Sequence, residues 1–117
     1  MKRDMDLVRA VLMTAEDNDK ARLADYPHNV VAYHVMILKE GGLLKAAIAG
    51  GPGGEPFDYR ILGLTWAGHD FLDNARSDTV WNHAKKTAKD KGVEVSVAIF
   101  TELLKFSARE ILKLPPG

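Results

Sequence analysis

One amphipathic helix, predicted between Asn29 and Leu44, constrains the fold of this chain more than any other stretch. Pro27 suits the first turn of such a helix, where a missing N–H group costs nothing, and Gly41 or Gly42 suits the left-handed residue just past its end. Apolar residues recur with helical spacing between these signals. The resulting stripe consists of Val31, Val35, Leu38 and Gly42, widened on one flank by Val30, His34 and Ile37. The sequence therefore predicts a helix with a defined N-terminus, a defined C-terminus and one buried side.

The opposite side of this helix, here called the outer pole, carries Asn29, Tyr33, Met36 and Glu40. Base readout in DNA relies mostly on Arg, Lys, Asn and Gln; of these only Asn29 lies on the pole, and Glu40 would repel phosphate. Tyr33 and Met36 suit a protein interface, where aromatic residues and Met are enriched. Alternatively, the C-terminal helices of the chain itself cover these two side chains.

Length and charge limit the classes of protein that fit. The chain has 117 residues, enough for one domain with one core, and 46% of them are apolar. Its 16 basic and 16 acidic residues are balanced in both halves, so affinity for nucleic acid would require a local patch. The lack of cysteine excludes disulfides and is compatible with a cytoplasmic location, which we expect. Neither a signal peptide nor an apolar run of membrane-spanning length is present, so we expect no membrane partner.

A first amphipathic helix is predicted from Asp4 to about Asp17, with the Asp4 carboxylate capping the N–H groups at its start. Its buried side is formed by Leu7, Val8, Val11, Leu12 and Ala15. The polar joint from Asn18 to Tyr26 has no clear period. It could hold either a short strand or a reduced second helix.

A strand, a flexible tip and a second strand are predicted after the central helix. Lys45 to Ala49 and Phe57 to Leu64 have strand-like composition, and the GGPGGEP segment between them is incompatible with regular structure. This is the layout of a β-wing. A phosphate-binding loop is disfavoured, because the segment lacks the Lys-Ser/Thr pair of a P-loop.

Thr65 is placed to cap a third helix, which runs to about Arg76. Its inward residues are Phe71, Leu72 and Ala75, and its outward residues are Trp66, His69, Asp73 and Arg76.

Two more helices follow. One begins near Ser77, runs to about Lys91 and is closed by Gly92. It carries a basic patch of Asn82, Lys85, Lys86 and Lys89, for which a solvated lysine face is the default interpretation and phosphate binding the alternative. The last helix runs from about Ser96 to Leu114, before two prolines end it. Its broad apolar side, with Phe100, Leu103, Leu104, Ile111 and Leu112, could pack on the domain and also support a homodimer.

The sequence carries no signature of catalysis or metal binding. The four histidines are His28, His34, His69 and His83, and no two of them have the spacing of a helical metal clasp. His34 lies at the edge of the apolar stripe, so we expect a packed, hydrogen-bonded histidine there. No serine nucleophile elbow occurs, and cysteine catalysis is excluded. We therefore expect a non-enzymatic protein without a cofactor or a metal.

Three segments stand out by their composition: MKRDMDLVR at Met1 to Arg9, YHVMILKEGGLL at Tyr33 to Leu44, and LTWAGHDFLDNARSDTVWN at Leu64 to Asn82. Together they resemble a family of bacterial and phage-borne proteins that is classed as a domain of unknown function and often occurs in prophages. The likeness covers nearly the whole chain. It implies a phage or prophage setting and brings no established site residues with it.

The middle of the chain is also similar to winged-helix regulators, in which a YHL-type helix ends in Gly-Leu and an LT-x-x-G segment opens the next helix. We therefore expect an α+β, mostly α fold. It comprises a winged-helix-like core at 1–76, with a small β-wing at about 45–64, and a helical extension at 77–117 that packs on the core as one domain. The irregular joint and the uncharged outer pole depart from those regulators.

Our leading hypothesis from the sequence is a phage-type winged-helix protein that binds duplex DNA or acts in regulation. Phosphate contacts are assigned to Arg76, Lys85, Lys86 and Lys89, and contacts near the groove to Asn29, Tyr33 and His34. The alternative is a protein-interaction module on the same scaffold, for example a phage factor that binds a host protein. Its contact residues would be Tyr33, Met36, Trp66 and His69.

Overall fold

The computed structural model describes residues 2–92 and 96–112, which form a mostly helical α+β protein. In chain order the described elements are α1 (Met5–Asp17), a 3₁₀ helix (Lys20–Leu23), α2 (His28–Glu40), β1 (Leu44–Gly50), β2 (Pro56–Leu64), α3 (Trp66–Ala75), α4 (Asp78–Asp90) and α5 (Val97–Leu112). The chain divides into two compact units, Met1–His69 and Asp70–Gly117. The division falls inside α3, whereas the sequence placed the end of the core at residue 76.

Helix α1 begins and ends where the sequence predicts. The Asp4 carboxylate accepts hydrogen bonds from the backbone N–H groups of Asp6 at 3.0 Å and Leu7 at 3.2 Å, which caps the helix. Asn18 adopts a left-handed conformation at the other end, with a φ of 60°. Four of the five predicted inward residues, namely Leu7, Val8, Val11 and Leu12, are fully buried. Periodicity and capping are thus confirmed as the determinants of this helix.

The joint between α1 and α2 contains the 3₁₀ helix, so a reduced helix, not a strand, occupies the stretch that the sequence left open. The Asp19 carboxylate accepts from the N–H group of Ala21 at 3.2 Å and starts this turn. Leu23 is buried and anchors the turn. The guanidinium group of Arg22 donates to both carboxylate oxygens of Asp17, at 2.8 and 2.5 Å, and so ties the turn to the end of α1.

The buried side of helix α2 contains Val31, His34, Val35 and Leu38, as predicted, and also Ala32, which was not predicted. Val30 and Ile37, placed on the flank of the stripe, are partly exposed. Its end is a Schellman motif, in which Leu43 N–H donates to Leu38 C=O at 3.0 Å and Gly42 N–H donates to Lys39 C=O at 3.1 Å. Gly42 has a φ of 79°, a conformation that glycine adopts without strain. Gly42 was wrongly assigned to the buried stripe, because the helix stops at Glu40 and this residue is exposed.

The predicted wing is an antiparallel hairpin of β1 and β2. Register pairs include Leu44↔Leu64, Ala46↔Ile61 and Ile48↔Tyr59. The pairing shifts between Lys45 and Ala46 and again between Ala49 and Gly50. The hairpin packs against α1 and α2, and its inward-facing Leu44 and Ala46 are buried there.

The end of α2 and the start of α3 are joined by Thr65. Its hydroxyl donates to the carbonyl of Gly42 at 2.6 Å and accepts from Gly68 N–H at 3.0 Å, which confirms Thr65 as the cap of α3. Thr65 N–H donates to Leu43 C=O at 3.2 Å. A Cβ atom on Gly68 would lie 2.0 Å from that same carbonyl oxygen, so the close approach requires glycine.

The second unit contains most of α3 together with α4 and α5. Helix α4 begins at Asp78, close to the predicted start, and Ser77 caps it, where its hydroxyl accepts from Val80 N–H at 3.2 Å. The Trp81 ring lies 5.0 Å from that of Phe100 and 6.3 Å from that of Phe71, in edge-to-face arrangements. Of the apolar side predicted for α5, Phe100 and Leu104 are buried, Leu103 and Ile111 are partly exposed, and Leu112 is 58% exposed.

The predicted end of α5 at Leu114 and the two prolines beyond it lie outside the described residues. Among the helices that the structure does describe, none combines the length and the apolar character that crossing a bilayer requires.

Candidate functional site

The outer pole lies on α2 in the first unit. Asn29 and Glu40 are exposed there, and Tyr33 and Met36 are partly exposed. The pole presents an amide, a phenol, a thioether and a carboxylate, with no cation. Such a surface suits a partly apolar partner better than it suits a phosphate backbone.

His34 does not belong to any contact surface, and its assignment to a DNA or partner contact is wrong. Its side chain is 0% exposed. Nε2 accepts from Asp4 N–H at 2.8 Å, and Nδ1 lies 2.8 Å from the carbonyl oxygen of Val30. The neutral tautomer with its proton on Nδ1 satisfies both bonds. The prediction of a packed, hydrogen-bonded histidine is confirmed, and His34 links the start of α1 to α2.

The first turn of α3 presents the most exposed large apolar side chain of the described residues. Trp66 is 85% exposed, and His69 is also exposed. Leu62, at the shifted part of the hairpin, is 56% exposed. Exposed Trp side chains combine a large apolar area with one N–H donor, and they are enriched at protein interfaces.

The predicted basic patch of α4 lies in the second unit and is partly ion-paired. Lys86 Nζ lies 2.9 Å from the carboxylate of Asp90, and Arg76 Nη2 lies 3.6 Å from that of Asp73. Lys89 is exposed, whereas Lys85 is partly buried. Carboxylates beside these cations reduce the potential that would attract phosphate.

Sequence reasoning missed a cleft of about 300 Å³ in the first unit. It is lined by Thr14, Asn18, Lys20, Leu23, His28, Tyr59, Arg60 and Ile61. We refer to it as the β2 cleft, because three successive residues of β2 form one of its walls. The other wall comes from the end of α1, the 3₁₀ helix and the first residue of α2. Lys20 and Arg60 give it a cationic rim.

His28 and Tyr59, on opposite walls of the β2 cleft, form an aromatic pair. Their rings are stacked with centroids 5.3 Å apart, and His28 Nε2 lies 3.3 Å from the Asp58 carboxylate. Partial burial, together with the charge of Asp58, raises the pKa of the Tyr59 hydroxyl. The phenol is therefore a neutral hydrogen-bonding group near neutral pH.

No local sequence signal identifies the β2 cleft. Lys20 and Arg60 are single cations 40 positions apart, and neither belongs to a motif. Their proximity in space could be predicted only if both the conformation of the joint and the register of the hairpin were known. His28 was noted solely as one of four histidines.

The described residues contain no group of three His, Cys, Asp or Glu side chains that could hold a metal ion. One serine–histidine contact occurs in the second unit, where His83 Nδ1 lies 2.7 Å from Ser107 Oγ. Ser107 is fully buried between helices, so its hydroxyl cannot reach a substrate. We interpret this pair as a structural hydrogen bond between α4 and α5.

Comparisons with known proteins give a family for the chain. A family model described as "Hypothetical protein (DUF2513)" matches residues 2–94. An "Uncharacterized protein" of Haemophilus influenzae (strain Rd) is 35% identical over 112 residues, which cover 83% of this chain and 86% of the relative. No solved structure matches. Because the family model covers most of the sequence and the relative is matched over a similar share, the chain belongs to the DUF2513 family.

Proposed function

We propose that this protein is a non-enzymatic protein-interaction module on a winged-helix-like scaffold, which binds its partner through the outer pole of α2 and through Trp66. The observation that carries the proposal is an accessible outer pole without any cation. Residues 1–69 contain eight Lys and Arg against nine Asp and Glu, so the unit that presents this pole has no excess of positive charge. A protein surface is the partner class that such chemistry fits best.

The order of elements in the first unit supports the winged-helix-like scaffold. Helix α1, the 3₁₀ helix and α2 precede the hairpin, so the 3₁₀ helix takes the place of a second helix and α2 the place of a recognition helix. Scaffolds of this type serve both DNA and protein recognition, and the fold alone does not choose between them. The side chains on α2 favour a protein partner.

Host-protein capture tests the proposal. The immobilised protein should retain a host protein from a bacterial lysate, and the combined substitutions Tyr33→Ala and Met36→Ala should weaken the isolated complex roughly 30-fold, as expected for the loss of central interface residues. Trp66→Ala should weaken it to a similar extent.

Leu112→Ala serves as the control, because it removes an exposed apolar side chain from the second unit, away from the proposed surface along the chain. Circular dichroism would verify that every variant is folded. Capture that is unchanged by the α2 and Trp66 variants would remove the basis for the proposal.

Duplex DNA is the second candidate partner, favoured by the position of α2 in the scaffold and by Lys85, Lys86 and Lys89 on α4. Fluorescence anisotropy with a labelled duplex should then show binding that weakens with salt, and Lys89→Ala should reduce the salt slope by about 1. Lys45→Ala, on the hairpin, is the control for a general loss of charge. No binding at low salt with tens of micromolar protein would exclude this candidate.

The resemblance to prophage-borne proteins supports a further part of the proposal, namely that the protein acts in the cytoplasm as a phage or prophage factor that occupies a host protein. Zero cysteines fit that compartment. Identification of the captured protein by mass spectrometry would test the setting, since a host cytoplasmic protein is expected and an envelope protein would contradict it.

A further inference from the structure

The edge of β2 that faces away from β1 is open. Tyr59 N–H donates to the Asp58 carboxylate at 2.8 Å and therefore does not take part in the ladder with β1. Along a strand of an antiparallel pair, successive residues direct both backbone groups alternately toward the partner strand and away from it. Ile61 lies two residues after Tyr59 and therefore also directs its N–H and C=O groups away from β1. The register partners of Tyr59 and Ile61 on β1 are Ile48 and Ala46, and from this alternation we infer that both are pairs without ladder bonds.

The β2 cleft runs along this open edge. Tyr59, Arg60 and Ile61 all line it, although successive side chains of a strand point to opposite faces of a sheet. A cleft that contacts both faces must lie at the edge, and no residue of β1 lines it. Three strand residues span about 10 Å, which is the length of a short extended peptide segment.

The chemistry of the cleft matches an acidic extended peptide. Leu23 and Ile61 provide apolar contacts between the walls, and Lys20 and Arg60 provide positive charge on opposite sides. Neither cation forms an ion pair in the described part of the chain. No carboxylate is among the lining residues. Three acids adjoin the lining residues along the chain, and each has a partner: Asp17 is paired with Arg22, Asp19 accepts from Ala21 N–H, and Asp58 contacts His28 and Tyr59 N–H.

We propose that the β2 cleft binds an extended acidic segment of a partner protein, which adds to the sheet as a third strand along β2. Strand addition of this kind gains affinity from main-chain hydrogen bonds and specificity from flanking side chains. The outward groups of Ile61 and the C=O group of Tyr59 would form the main-chain bonds. Lys20 and Arg60 would select for acidic residues. The inference shares a protein partner with the proposed function, but it concerns a different surface.

A designed peptide tests the proposal directly. The probe is a capped Glu-Thr-Val-Thr-Val-Glu hexapeptide, added to the isotope-labelled full chain and followed by amide NMR. Binding in the range of about 1 mM or tighter is expected, with shifts centred on Tyr59, Ile61 and Lys20. A Lys-Thr-Val-Thr-Val-Lys peptide should bind at least tenfold more weakly, because its charges oppose the rim. A version with N-methylated central amides should not bind.

Charge reversal gives the second arm of the test. Arg60→Glu should weaken binding of the acidic peptide about tenfold and should improve binding of the basic one. Lys45→Glu makes the same change of charge on β1, outside the cleft, and should change the affinity for neither the acidic nor the basic peptide. Hydrogen exchange adds a measurement that needs no variant, since the Ile61 amide should exchange readily in the free protein and become protected by the peptide.

The proposal would be overturned by the absence of peptide-induced shifts, by equal binding of the N-methylated peptide, or by a strongly protected Ile61 amide in the free protein. Its failure can be separated from that of the proposed function. The combined Tyr33→Ala and Met36→Ala variant should bind the peptide normally even where it loses the captured host protein.

Discussion

At the scale of single residues, the contact between the end of α2 and the start of α3 depends on the hydroxyl group of Thr65 and on the absence of a Cβ atom at Gly68. Thr65 bonds to both segments through one oxygen atom, and Gly68 allows the helix backbone to approach the carbonyl of Leu43. Both features lie in the LT-x-x-G segment, so this motif has a direct physical explanation. It positions the first turn of α3, and with it Trp66, against the end of α2.

Gly68→Ala is therefore expected to destabilise the protein by about 2–3 kcal/mol, because the new Cβ would overlap a backbone oxygen that cannot rotate away. Urea unfolding followed by circular dichroism measures the change. Gly50→Ala is the matched control, since its Cβ would be 3.7 Å from the nearest atom, and it should alter stability by less than about 0.5 kcal/mol. Equal effects of the two substitutions would show that the contact with Leu43 is not tight.

At the scale of elements, the joint between α1 and α2 is held by an ion pair as well as by Leu23. The two hydrogen bonds from Arg22 lower the pKa of Asp17 from its usual value of 3.8 to about 2, and they are the main cause of the shift. Because the folded-state pKa is the lower one, the pair stabilises the fold fully above about pH 4, and the stabilisation disappears as the pH falls through about 2.

This linkage predicts how the difference in stability between the wild type and an Asp17→Asn variant depends on pH. The wild type should have the higher urea midpoint above pH 4, and the difference should shrink steadily towards pH 2. Asp25→Asn is the control, because Asp25 is exposed and makes no ion pair in the described part of the chain. A difference between wild type and Asp17→Asn that stayed constant down to pH 2 would contradict the assignment.

At the scale of the whole molecule, the features that the sequence predicts correctly are those that depend on near neighbours along the chain. Helix periodicity, the caps at Asp4 and Thr65, and the glycine-rich hairpin tip all depend on residues within about one helical turn. The helices and the two strands accordingly occupy the predicted places. The α+β, mostly helical class follows from them.

Features that depend on distant residues could not be predicted. The hydrogen bond from Asp4 N–H to His34 joins residues 30 positions apart and removes a predicted contact residue from the surface. The β2 cleft requires Lys20 to meet Arg60, which depends on two register shifts in the hairpin and on the 3₁₀ conformation of the joint. Periodicity carries no information about either, because both are set by packing between elements.

The open edge of β2 also bears on how the protein behaves in concentrated solution. Unpaired strand edges let identical chains stack, and proteins commonly prevent this with charges placed along the edge. Asp58 and Arg60 lie on this strand but have opposite signs, so in an antiparallel pair of two copies they would attract each other and not repel. A foreign strand bound along β2 would cover this edge, and binding of the partner would then also limit self-association in concentrated solution.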